Sequence, residues 1–102
     1  MSTPLSLRKT AALFRALSHP CRLRLLIALA EGQVCDVNTM VELCGRPQPY
    51  VSQQLGILRR SGLVVGSAQG QRVCYRLANR QIEDILRAAG VLSPELTVHL
   101  VV

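Results

Sequence analysis

Two sets of side chains in this sequence could do chemistry. The first is four thiols: Cys21, Cys35, Cys44 and Cys74. Thiols bind soft metals or arsenite, and they oxidise. The second is a run of amides, hydroxyls and guanidinium groups within QPYVSQQLGILRRSGLVV, Gln48 to Val65. Gln pairs bidentately with adenine, and Arg with guanine or phosphate. An ordinary solvated helix face carries the same residue types, so the surroundings must decide between the two readings. No Ser/His/Asp order, phosphate loop or complete metal cluster stands out in the sequence. Cys21 close to His19 is the one hint of nucleophilic chemistry, and a chain of 102 residues without an evident cleft argues against an enzyme.

The element that must position the polar set is a helix beginning at Gln48. Pro49 suits a first helical turn, because its missing N–H has no intrahelical partner there. Val51, Leu55 and Leu58 fall at i, i+4 and i+7 and make one apolar stripe. Pro49, Gln53, Gly56 and Arg60 lie opposite it, with Ser52 and Arg59 on its flank. Gly62 stands where a helix cap is wanted. Leu63 to Val65 reads as a short strand, Gly66 to Gly70 (GSAQG) as a turn, and Arg72 to Leu77 (RVCYRL) as a returning strand. On that strand Val73, Tyr75 and Leu77 share one face, with Arg72, Cys74 and Arg76 on the other.

Upstream, Leu5 to Leu17 reads as a first helix with an apolar stripe of Leu7, Ala11, Phe14 and Leu17. Ser18-His19-Pro20 breaks it, since the residue before a proline is pushed out of helical backbone. His19 reads as a junction residue in preference to a metal ligand, because no second ligand follows at metal-binding spacing. Pro20 to Ala30 is a second helix. Its stripe of Leu23, Leu26, Ile27 and Ala30, widened by Leu25 and Leu29, marks a central element. Cys21, in its first turn, is either a reactive thiol or a packed small residue, with packing the preferred reading. Gln33 to Gly45 contains a third helix capped by Asp36 or Asn38. Val37, Met40, Val41 and Cys44 form its inner side. Asn79 to Gly90 is a last helix with Ile82, Ile85, Leu86 and Ala89 on one stripe. The tail, Val91 to Val102, contains a fair helix start at Ser93-Pro94-Glu95 and ends apolar.

Composition narrows the class. The length fits one domain over residues 1–102. The chain is 49% hydrophobic, yet no apolar run approaches the roughly 20 residues of a membrane span. The start, MSTPLSLRK, lacks the apolar core of a signal peptide, so a cytoplasmic location is expected. Four cysteines in such a chain read as free thiols, ligands or redox sensors rather than structural disulfides. Twelve basic residues, eleven of them Arg, against six acidic ones give a formal charge of +6. Beside the face of the Gln48 helix, that balance favours nucleic acid as a partner. A winged helix used only for protein contacts would instead want a neutral or acidic face.

Helix, helix, hairpin is the order of a winged helix-turn-helix. In ALSHPCRLRLL, QPYVSQQLGILRRSGLV and GQRVCYRL the chain resembles the ArsR/SmtB family of bacterial repressors, and the resemblance spans Ala16 to Leu77. It implies a mainly α fold with a small β-hairpin, in the order α-α-α-α-β-β-α. It also implies a homodimer paired through the terminal helices, about 5–17 and 79–90, and double-stranded DNA with a palindromic operator as partner. By that resemblance Gln48, Pro49, Ser52 and Gln53 lie nearest the bases, while Arg59, Arg60, Gln71 and Arg72 approach phosphates. Metal-sensing relatives carry a Cys-x-Cys pair before the third helix. Here the string is QVCDV, so the partner of Cys35 is replaced by Gln33 or Val37, and the segment is longer than the commonest spacing. Zinc and nickel sensors carry Asp and His on the last helix. This one has Glu83 and Asp84 but no His, and that site reads as absent. The expected effector is thiol-reactive, a soft metal or arsenite, with Cys35 the most responsive thiol. A redox or sulfur signal acting on a cysteine pair, and a regulator that senses nothing, stand as alternatives.

Overall fold

The computed structural model describes residues 7–32 and 36–92. Its elements follow the expected order: α1 (Leu7–Leu17), α2 (Pro20–Ala30), α3 (Val37–Cys44), α4 (Gln48–Arg60), β1 (Val64–Gln69), β2 (Arg72–Leu77) and α5 (Arg80–Ala88). Leu5, Cys35 and the tail from Ser93-Pro94-Glu95 onward lie outside the described residues.

Local chemistry sets most boundaries. His19 is extended (φ −153°, ψ 122°), and its Nδ1 accepts the Cys21 backbone N–H at 3.2 Å, so this junction histidine is the N-cap of α2. Asn79 caps α5 by accepting the Ile82 N–H at 3.3 Å. Asp36 stands at the N-cap of α3 but makes no side-chain bond to the helix backbone. It accepts from the Thr39 hydroxyl at 2.7 Å instead.

The hairpin departs from the sequence reading. The expected Gly66–Gly70 turn belongs mostly to β1, which pairs with β2 from Val64↔Leu77 to Gln69↔Arg72. Only Gly70 and Gln71 remain as the loop, with Gly70 at φ 67°, where a two-residue hairpin turn wants glycine. Gly66, Ser67 and Ala68 have little strand preference of their own, and the partner strand overrides it. Gly66 faces Tyr75 across the ladder, and a Cβ there would come within 3.0 Å of the Tyr75 ring and 3.1 Å of Val73. Their cover occupies the space that a side chain would need. Alternation on β2 is weak too: Val73 is exposed while Cys74 is half-buried. The hairpin extends beyond the core, so neither face of its tip is fully dry.

The core gathers Leu25 and Leu26 of α2, Met40 of α3, Val51, Leu55 and Leu58 of α4, and Leu63, Val64, Ile82 and Leu86. α2 packs on α1, α3, α4 and β2, as its two-sided apolar pattern predicts. Its deepest residues are Leu25, Leu26, Ala28 and Leu29, whereas Leu23, Ile27 and Ala30 are half-buried. The stripe of α1 stays largely uncovered, with Leu7 88% and Phe14 53% exposed. In contrast, α5 turns Ile82 and Leu86 into its own core, so only part of its stripe remains available. Phe14, Leu23, Ile85, Ala89 and Val91 rim an apolar groove of about 290 Å³.

Candidate nucleic-acid interface

α4 divides along its length. Val51, Leu55 and Leu58 are fully buried, and they anchor the helix in the core. Gln48, Pro49, Ser52, Gln53, Arg59 and Arg60 are all exposed. At 100° per residue they occupy one continuous arc, and at about 1.5 Å rise per residue Gln48 and Arg60 stand roughly 18 Å apart. The amides and the hydroxyl therefore cluster in the first half of α4, and the two arginines at its far end. Arg60 folds its guanidinium back over Gly56, where a Cβ would lie 3.1 Å from Nη1.

The wing meets the amide end. Gln48 shares a shallow recess of about 220 Å³ with Asp36 and Asn38 of the α3 start and with Gln71, Arg72 and Tyr75 of the hairpin. Of the residues read from sequence, Gln48, Gln71 and Arg72 thus come together, Ser52 and Gln53 follow one turn along α4, and Arg59 and Arg60 stand apart. The Asp36 carboxyl is held below the usual carboxylate range, chiefly by the Thr39 hydroxyl bond and in smaller part by the Arg72 guanidinium.

Three residues that the sequence reading left without a role hold α4 in place. Gln54 lies on the core side, 6% exposed. Its Oε1 accepts from Arg22 Nη1 at 3.0 Å. The same guanidinium donates to the carbonyls of Ala16 at 2.7 Å and Arg15 at 3.3 Å, closing the end of α1. Arg22 is therefore a three-way strut between α1, α2 and α4. Tyr50, in the first turn of α4, sits under the Arg46 guanidinium at 4.1 Å and meets His19 Nε2 through its hydroxyl at 3.5 Å. The sequence signal for Gln54 was its i+3 spacing from Val51, which turns it inward. The strut itself needed a partner 32 residues away and left no local trace.

The thiols fall differently from the sequence reading. Cys21 and Cys44, expected as separate packed positions, are half-buried with their sulfurs 3.9 Å apart. Cys44 lies at the edge of the core rather than inside it. Its thiol is pushed up to about 11, first by burial and then by Cys21, with Arg24 pulling the other way. Pro20, Arg24 and Arg46 complete a recess of about 170 Å³ beside the pair. Cys74 is half-buried on the wing, its thiol 4.0 Å from the Tyr75 carbonyl. Among the described residues no three His, Cys, Asp or Glu side chains gather as a metal site, and no helix is long and apolar enough to cross a membrane.

A buried-backed helix offering amides, joined by a short turn to the helix before it and followed by a two-stranded wing, defines a winged helix-turn-helix. Comparison with known proteins places it more closely. Residues 19–65 match the model of the bacterial regulatory protein, arsR family. The chain is 42% identical over 74 residues to the HTH-type transcriptional repressor SmtB of Mycobacterium tuberculosis, covering 72% of this chain and 54% of that protein. It thus spans about half the length of that relative. It is 38% identical over 80 residues to the biofilm growth-associated repressor of Xylella fastidiosa, covering 78% and 69% of the two chains. Among solved structures, the homodimeric winged helix-turn-helix domain of Mb0332 from Mycobacterium bovis matches with TM-score 0.76 at 26% identity, over 89% of this chain and 88% of that one. The chain belongs to the ArsR/SmtB family, whose members are DNA-binding transcription regulators and not enzymes.

Proposed function

We propose that the chain acts as a homodimeric repressor that reads a palindromic operator by placing α4 in the major groove. The observation that carries this is the exposed arc of α4, in which Gln48 shares a recess with the wing residues Gln71 and Arg72 while Ser52 and Gln53 follow one turn along the helix. Side chains at the start of a recognition helix reach base edges, and a wing beside them reaches the backbone. Arg59 and Arg60, about 18 Å along the helix from Gln48, approach phosphates outside the base-reading zone. The relatives named as repressors and the homodimeric neighbour support the same reading. Two copies joined through α1 and α5 present their α4 helices about one DNA turn apart, roughly 34 Å.

Binding titrations at several salt concentrations test the division of labour. Gln53→Ala should cost about 1–3 kcal/mol on the selected site and relax its sequence preference. Arg72→Ala should weaken all sequences alike and flatten the salt slope by about one. Equal loss on selected and random DNA for Gln53→Ala would overturn the placement of α4.

For release from DNA, a thiol-reactive signal fits the four cysteines. Of the two thiol chemistries, soft-ion capture centred on Cys35 and oxidation of a pair, the second has a specific observation behind it. Cys21 and Cys44 touch, and Arg24 and Arg46 line the recess beside them.

A further inference from the structure

The Cys21–Cys44 contact joins two helices at functionally sensitive ends. Cys21 is the second residue of α2, and Cys44 is the last residue of α3, the helix that leads through Gly45-Arg46-Pro47 into α4. Their sulfurs stand 3.9 Å apart. A disulfide needs about 2.05 Å, so the two must approach by roughly 2 Å, within reach of side-chain rotation and a small shift of a helix end. Both side chains are half-buried, so a small reagent can reach them through the recess formed with Pro20, Arg24 and Arg46.

We propose that Cys21 and Cys44 are a two-electron oxidation site, closed to an intramolecular disulfide by hydrogen peroxide, and that closure lowers affinity for DNA. The affinity half rests on the repressor reading above. Either sulfur can attack first and the balance is the same; with Cys21 attacking, Cys44 resolves. The Cys21 sulfur takes one peroxide oxygen as the O–O bond breaks. The leaving hydroxide, with the proton from Cys21, becomes water. The Cys44 sulfur then attacks the Cys21 sulfenic acid, the S–O bond breaks, and hydroxide leaves with the Cys44 proton as a second water. Two thiols lose two electrons, and peroxide gains them as two waters.

The link to DNA runs through contacts at the same spot. Arg46, two residues past Cys44, lies over Tyr50 at the start of α4. Tyr50 meets His19, whose other ring nitrogen holds the Cys21 backbone N–H. Drawing Cys44 toward Cys21 shifts the end of α3 and the turn after it, and so re-aims Gln48 and Ser52.

The test uses the whole chain, reduced or treated with stoichiometric hydrogen peroxide and quenched. Readouts are peptide mapping of linked cysteines and affinity for a duplex selected with the reduced protein. The expected result is a mass loss of about 2 Da per chain from one new disulfide, a Cys21–Cys44 linked peptide, affinity weaker by tenfold or more, and recovery with dithiothreitol. The Cys35→Ser/Cys74→Ser double variant should behave like the parent. Cys21→Ser and Cys44→Ala should each lose both responses. If Cys44→Ala does not fold, Cys21→Ser alone carries the comparison. A linkage through Cys35 or Cys74, or between chains, overturns the site. A Cys21–Cys44 disulfide that leaves affinity unchanged overturns the regulatory half. If the reduced protein selects no DNA, the repressor reading fails while the mapped linkage still decides the chemistry.

Discussion

Removing the Arg22 guanidinium should destabilise the fold well beyond what its half-exposed position suggests. In Arg22→Ala the three bonds to Ala16, Arg15 and Gln54 disappear together. The Arg15 carbonyl is near solvent, so water replaces that bond at little cost. Gln54 is different: it is 6% exposed, and its side-chain oxygen accepts from Arg22. A buried acceptor left unpaired costs about 1–3 kcal/mol, and a charge-assisted bond to the part-buried Ala16 carbonyl adds about 1–2 kcal/mol. The sum, about 2–5 kcal/mol, is a large share of a small domain's stability. At about 4–8 °C per kcal/mol the melting midpoint should fall by roughly 10 °C or more. Urea and thermal unfolding at fixed protein concentration measure it, because dimerisation shifts apparent stability. Gln54→Leu in the Arg22→Ala background removes the orphaned oxygen and should recover about 1 kcal/mol or more, which a double-mutant cycle isolates. An Arg22→Ala protein within about 0.5 kcal/mol of the parent, the range of ordinary surface changes, would refute the strut.

Two further outcomes follow from the same geometry. The exposed Phe14 and the groove it shares with Leu23, Ile85 and Val91 should be covered in a dimer, so sedimentation at micromolar concentration should show a species of twice 11.2 kDa. Phe14→Glu should shift it toward monomer and weaken binding to the palindrome, whereas a parent that sediments as 11.2 kDa at every concentration would rule the pairing out. The Cys44 thiol, raised to about 11, binds its proton more tightly in the folded chain than in the unfolded one. Its contribution is therefore fully present below the ordinary thiol range and is lost as pH rises through about 11. Partial exposure screens it to about 1 kcal/mol. The stability of Cys44→Ala should fall less than the parent's across that window, and parallel curves would contradict the assignment.

The face of α4 was legible because one helix carries it. Val51, Leu55 and Leu58 announce the buried side by spacing alone, and the polar set falls opposite them by subtraction. The cap at Asn79 and the break at His19-Pro20 were legible for the same reason, since each depends on neighbours within four residues. The longer β1 was not, because Gly66, Ser67 and Ala68 gain their strand from Tyr75 and Val73 across the ladder. Arg22 with Gln54, and Cys21 with Cys44, stand 32 and 23 residues apart. Nothing local distinguishes an arginine that buttresses two helices from one that faces water. The same limit explains why Cys21 and Cys44, which meet in space, were read singly.

These tertiary contacts converge on one turn of chain. Across residues 19–22, His19 meets Tyr50 of α4, Cys21 meets Cys44 of α3, and Arg22 meets both the end of α1 and Gln54 of α4. That turn opens α2, whose Leu25, Leu26 and Leu29 are fixed in the core. A close-packed interior transmits a displacement rather than absorbing it. Movement at this turn therefore passes to α4 at two points, Tyr50 in its first turn and Gln54 one turn further on. The carbonyls of Arg15 and Ala16 place the end of α1 on the same strut, just past the exposed Phe14. The thiol pair, the exposed face of α1 and the start of α4 are thus connected through four consecutive residues.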